Sequence, residues 1–244
     1  MTKRNRKAWS IRPLGLVLTL IACGAFAGSA TAAPIVTWDV ANATGQDAAV
    51  LSTALNVSAT SIDEVGVSEW TSTAQDGFVA ASGWTADATG PDAGQYYEWS
   101  ITADAGYGVT YDSFDVSLFR GIWGGGHGAD LWELHASIDA FATFDLDLGT
   151  FDISASAADE QTTFLGHDIS ALGMRGGTVT FRLYGYNQTQ AGDYAGLGND
   201  DGAWLISGTG VNPVVHGTAS VPEPRAALLA AMGSLGLLVG GRRR

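Results

Sequence analysis

The sequence predicts an all-β domain, an antiparallel two-sheet β-sandwich of jelly-roll type, with a signal peptide before it and a single apolar helix after it. Three observations predict this. Apolar and polar residues alternate with period two in four stretches, the mark of half-buried antiparallel strands. Turn residues separate the stretches at short intervals, which suits about nine to eleven strands in a sandwich. Between the termini no convincing helical period occurs, apart from a turn around Ser170-Ala171-Leu172.

Taken in order, Ile35-Val36-Thr37-Trp38-Asp39-Val40 reads as a first short strand. From Ala41 to Asp76 the chain is rich in Ala, Ser and Thr, and its periodicity is weak. Gly77 to Trp84 is a strand, and Thr89-Gly90-Pro91-Asp92-Ala93-Gly94 is turn chemistry. Then comes the clearest alternation. Tyr97, Trp99 and Ile101 point one way, and Glu98, Ser100 and Thr102 the other. Phe114, Val116 and Leu118 form a second inward set, Trp132, Leu134, Ala136 and Ile138 a third, and Val179, Phe181 and Leu183 a fourth. Gly121 to Gly128 reads as a glycine-rich loop and Asn187 to Gly202 as a long polar one. The expected final strand is Ala203 to Gly208, with a stalk after it. The expected organisation is therefore a signal at 1–32, a sandwich at 33–210, a linker at 211–220 and a terminal segment at 221–244.

The front end has the parts of a secretory signal. Lys3, Arg4, Arg6, Lys7 and Arg12 form a basic region, Leu14 to Ala27 an apolar one, and Ala30-Thr31-Ala32 a small-residue cleavage pattern. Leu20-Ile21-Ala22-Cys23 also fits a lipobox, with Cys23 as the acylated residue. Both readings send the chain across the inner membrane. Cys23 is the only cysteine, so the exported domain holds together without disulfides.

At the other end Val221-Pro222-Glu223-Pro224 leads into an apolar run from Ala226 to Gly241, and the chain stops at Arg242-Arg243-Arg244. Prolines on both sides of a glutamate favour an extended, exposed segment. The apolar run would span about 24 Å as a helix, slightly short of a hydrocarbon core of roughly 30 Å. The terminal arginines would stay on the cytoplasmic side. This layout resembles the PEP-CTERM sorting signal of Gram-negative bacteria. The resemblance implies recognition of Val221 to Pro224 and Arg242 to Arg244 by an exosortase, a membrane-embedded processing enzyme. It also implies transient contact with the inner membrane and delivery to the cell surface or extracellular matrix.

The domain itself is similar to the one often found before such tails. The resembling segments are Tyr96 to Thr102, Arg120-Gly121, Leu134 to Phe141, Phe181 to Tyr186 and the closing glycine-rich strand. In that pattern the middle segment carries a glycine where this chain has Ala140. The resemblance implies a sandwich and no catalytic role.

Charge is partitioned sharply. Of 25 acidic residues only Glu223 lies in the tail, leaving 24 in the domain against Arg120, Arg175 and Arg182, a formal −21 with no lysine. Such a domain lacks the basic surface that nucleic acid or an anionic membrane requires. It is compatible with calcium, and Asp39 on the first strand with Asn199, Asp200 and Asp201 before the expected last strand are the candidate ligands.

Catalytic chemistry has thin support. Asp145, Asp147 and Asp152 could place two carboxylates on one strand face, and retaining glycoside hydrolysis needs a pair about 5–5.5 Å apart with one pKa raised. Among 24 acids such proximity arises by chance. His127, Glu133 and His135 could ligate zinc, but their spacing matches no metal motif. No Gly-x-Ser-x-Gly elbow occurs. No catalytic residues are assigned and no cofactor is expected; calcium is the one candidate, against the plainer reading of Asn199 to Gly202 as a turn. Trp123, in the glycine loop, and Trp84 are the candidates for stacking on sugar rings, with extracellular polysaccharide as the partner. The leading expectation is a non-catalytic exported surface or matrix protein, and the alternative is a polysaccharide-binding module.

Overall fold

The computed structural model describes residues 32–41, 43–45, 47–69, 77–121, 126–156, 160–189, 193–198 and 210–222. Strand β1 is Ala33–Asp39, β2 Thr44–Gly45, β3 Ala49–Thr53, β4 Val57–Ala59, β5 Asp63–Val65, β6 Ser68–Glu69, β7 Phe78–Ser82 and β8 Tyr96–Ala103. The second half continues with β9 Gly108–Arg120, β10 Leu131–Ser137, β11 Leu146–Asp152, β12 Thr162–Asp168, β13 Met174–Arg175, β14 Thr178–Tyr186, β15 Tyr194–Gly198 and β16 Val214–Ser220. The expected turn at Ser170 to Leu172 is a 3-10 turn. Among the described residues no helix is long and apolar enough to cross a membrane.

The strands form two sheets. The first runs β2-β7-β15-β9-β16-β1-β3, with β12 and β13 also on β9 and β6 on β7. The second runs β11-β10-β14-β8-β4, with β5 also on β8. Every strand pairing is antiparallel except the two-residue contact of β2 with β7. The fold is therefore all-β with two antiparallel sheets.

The long strand β9 is the hub of the first sheet, and two alternating runs, offset by a bulge at Asp112, explain why. Val109, Tyr111, Phe114, Val116 and Leu118 are all buried in the main core. Across from them lie Tyr97, Trp99 and Ile101 of β8, Trp132, Leu134 and Ala136 of β10, and Val179, Phe181 and Leu183 of β14. Ring contacts cross the gap: Trp38 meets Trp99 at 5.8 Å, Trp99 meets Phe114 at 5.7 Å, and Tyr111 meets Phe181 at 5.7 Å. The inward sets read from alternation thus form the shared core, except that Ile138 lies just past β10 and is exposed. Burying each such side chain contributes roughly 1.5–3 kcal/mol.

Two stretches depart from expectation. The segment expected to be a stalk over 211–220 holds β16, which lies between β9 and β1 and pairs with both. The domain therefore extends to Ser220. The polar loop expected over 187–202 contains β15, paired with β7 on one side and β9 on the other. At this end the first sheet is covered on both faces. Phe78, Ala80, Phe119 and Tyr194 form a second small cluster on the face opposite the main core. The weakly periodic stretch before residue 70 resolves into the short strands β2 to β6. The expected strand 203–208 lies outside the described residues.

The turn between β10 and β11 forms without the glycine of the resembling pattern. Ala140 and Phe141 adopt φ of 54° and 62°, the left-handed region in which glycine is free and other residues are strained.

Candidate functional site

Antiparallel pairing fixes the two ends of the molecule. Ala33 pairs with Gly217, and Ser220 pairs with Gly108. The start of β1, the end of β16 and the start of β9 therefore lie at one end of the sheets, the base. Val221 and Pro222 follow directly and are exposed. Of the expected sorting residues these two are described; Glu223, Pro224 and Arg242 to Arg244 lie outside the described residues.

Arg120, at the opposite end of β9, organises the apex. Its guanidinium donates to Asp130 Oδ2 at 3.1 Å and to the carbonyls of Ser154 and Ser156 at 2.8 and 2.7 Å. Asp130 is buried, and its other oxygen accepts Asn187 Nδ2 at 2.7 Å. His127 Nε2 stands 3.6 Å from the same carboxylate. A buried carboxylate needs this many partners, and here they fasten the remainder of the glycine loop to β9 and β14.

A polar and aromatic surface covers the outer face of the second sheet. Cross-strand registers of β10, β14 and β8 set Glu133 opposite Tyr184, His135 opposite Arg182, and Arg182 opposite Glu98. His135 Nδ1 lies 2.7 Å from Asp145 Oδ1, and its Nε2 lies 3.5 Å from Glu133 Oε2. Tyr186 donates to Glu133 at 2.9 Å. Burial, and then that hydrogen bond, push the Tyr186 phenol up to about 12. Arg182 donates to Glu98 at 2.8 Å while its guanidinium sits 4.1 Å from the ring centres of both Tyr96 and Phe141. The rings of Tyr96, Tyr184 and Tyr186 are buried among these neighbours, so they brace the face rather than offer flat stacking platforms.

Several expected site residues are placed differently. Trp84 is buried, packs 5.1 Å from Trp132 and 5.3 Å from Tyr97, and donates its indole N–H to Ala81 O at 2.8 Å. It belongs to the core and offers no free face on which a sugar ring could stack. Trp123 lies outside the described residues. So do Asn199, Asp200 and Asp201; of the calcium set only Asp39 is described, half-buried at the end of β1. Among the described residues no group of three or more His, Cys, Asp or Glu is placed to hold a metal. His127 is engaged at the apex by Gly128 O and Asp130, while His135 and Glu133 face each other on β10.

The carboxylates on β11 and just before it are occupied locally. Asp147 accepts the Gly149 N–H and Asp152 the Ser154 N–H, each at 2.8 Å, and Asp145 holds His135. The hydrogen bonds from Ser154 hold Asp152 below the usual carboxylate range, the reverse of what a general acid requires. Sequence reasoning missed Asp130 and Arg182. The available signal was scarcity, since a domain with three arginines among 24 acids places each arginine deliberately. No protein-family model matches this chain, and no curated protein or solved structure does.

Proposed function

We propose that this is an exported, exosortase-processed protein of the cell surface or extracellular matrix, with a non-catalytic jelly-roll-type sandwich as its exported part. One observation carries the reading: a signal-like front end and a Pro-Glu-Pro, apolar, triple-arginine tail bracket a β-domain that has no cysteine of its own. The tail is the address. It inserts transiently, Arg242 to Arg244 remain in the cytoplasm, and Pro222-Glu223-Pro224 waits at the outer face of the inner membrane. An apolar run this short and this rich in Gly and Ala is a weak anchor, which suits an intermediate awaiting cleavage.

The geometry supports this reading in two ways. The two strands nearest the termini are neighbours, so both membrane-directed segments leave from the base. Val221 and Pro222 stand exposed immediately after β16, where a processing enzyme reaches them. The carboxylates that a glycoside-active reading would use are tied into turns.

Mass spectrometry of the mature protein from its native host tests the proposal. The expected product lacks the peptide ending at Arg244, and replacing Pro222-Glu223-Pro224 with alanines leaves uncut protein in the membrane fraction. An intact Arg244 peptide on the secreted form overturns the proposal.

A further inference from the structure

We infer that β16 is the closing strand of the domain, and that β1, β3 and β16 open and shut as one unit while the second sheet stays formed. The inference rests on strand pairing, independently of the export reading. Among the described residues β1 pairs only with β16 and β3, and β3 only with β1. The ladder joining this trio to β9 runs through β16, from Val214 opposite Asp115 to Ser220 opposite Gly108. Removing β16 leaves an open slot between the first strand and the hub. Among the described residues, what then still holds β1 and β3 is side-chain packing, the Trp38 indole on Thr60 O at 2.8 Å, the backbone bridge of Ala48 with Ile62, and the two-residue contact of β2 with β7. The second sheet has no such dependence, because β8, β10, β11 and β14 pair among themselves.

The slot is selective for its strand. A Cβ on Gly217 would lie 2.1 Å from the Thr110 carbonyl oxygen, so only glycine passes the hub closely enough at that position. A register shift falls between His216 and Gly217. The preceding side chain locks it: His216 Nε2 lies 2.8 Å from Asp115 Oδ2 and Nδ1 lies 3.2 Å from Ala32 O. One imidazole thus ties the last strand to the hub and to the chain entering the first strand. Asp115 is held in turn by the Gly166 N–H at 2.6 Å.

The consequence concerns order. A chain that emerges from its N-terminus has every other strand available before β16. The first sheet then closes only after Ser220 is free, two residues before Pro222. Non-local closure of this kind is slow, because the loop entropy is lost before the contacts form.

Native-state hydrogen exchange on the full chain, in rising sub-denaturing urea, tests the inference. Amides of β1, β3 and β16 are expected to share one urea-dependent opening and to exchange about tenfold or more faster than those of β8, β10 and β14. Gly217→Ala is expected to speed the first set by about tenfold again and leave the second set within about twofold. The wild-type measurement decides the matter even where the variant fails to fold. If β1 amides are protected as strongly as β14 amides while β16 exchanges alone, or if all strands share a single rate, the inference is overturned.

Discussion

Four described tryptophans are buried in the core, yet their indole N–H groups meet different fates. Trp38 donates to Thr60 O and Trp84 to Ala81 O, both at 2.8 Å. Trp99 and Trp132 are as deeply buried, and their Nε1 atoms have no hydrogen-bond partner among the described residues. A buried donor left unpaired carries a desolvation penalty of about 1–3 kcal/mol, and removing the donor removes the penalty. Trp99→Phe and Trp132→Phe should therefore cost about 1–2 kcal/mol less than Trp38→Phe and Trp84→Phe, whose partner carbonyls would be orphaned. Urea denaturation of the four variants checks this; equal losses at all four sites would refute it. The same residues show what the sequence makes legible. Trp99 and Trp132 sit in alternating runs, so period two places them inside. Trp84 follows Gly83, past the end of β7, where alternation stops, and its ring folds back to its own strand. No local pattern encodes that reversal.

The turn between β10 and β11 shows how a short element is fixed by one side chain. Asp139 accepts Thr143 Oγ1 at 2.6 Å, Ser137 Oγ at 2.7 Å, and the N–H groups of Thr143 and Phe144. These bonds, the Thr143 hydroxyl first and the Ser137 hydroxyl next, hold its carboxyl well below the usual range. They also hold Ala140 and Phe141 in the left-handed region, which carries Phe141 over Arg182. The sign follows from a lowered folded-state pKa. The carboxylate's contribution is full above the unfolded value of about 3.9 and is lost as pH falls through the folded value. Asp139→Ala should lower the melting temperature at pH 6, and its difference from wild type should shrink steadily below about pH 4. A difference independent of pH would rule out the charged network as its source. Other elements were hidden from sequence for physical reasons. β15 is buried on both faces and includes Gly196, where a Cβ would lie 2.0 Å from Val79 O, so neither alternation nor β propensity marks it. β16 is a central strand whose apolar pair Val214-Val215 gives way to His, Gly, Thr, Ala and Ser, and pairing on both edges holds it where that composition suggests a stalk.

At the scale of the whole molecule, charge is the term that no contact balances. The domain's −21 is offset locally by Arg120 on Asp130 and Arg182 on Glu98, while Arg175 lies 5.7 Å from the Phe144 ring centre. Several carboxylates accept hydrogen bonds from nearby backbone or hydroxyl groups rather than from cations, as Asp87, Asp92 and Asp168 do. Self-repulsion of this size opposes the compact state while keeping the protein soluble. Screening weakens it as the Debye length falls from roughly 30 Å at 0.01 M salt to about 8 Å at 0.15 M. The melting temperature should therefore rise with sodium chloride over that range and level off beyond it; a flat or falling curve would show that repulsion does not limit stability. Calcium tested against magnesium at fixed ionic strength separates screening from a site. Screening alone moves both curves together. A site built on Asp39 adds RT ln(1 + [L]/Kd) for calcium, and that increment must vanish in Asp39→Asn.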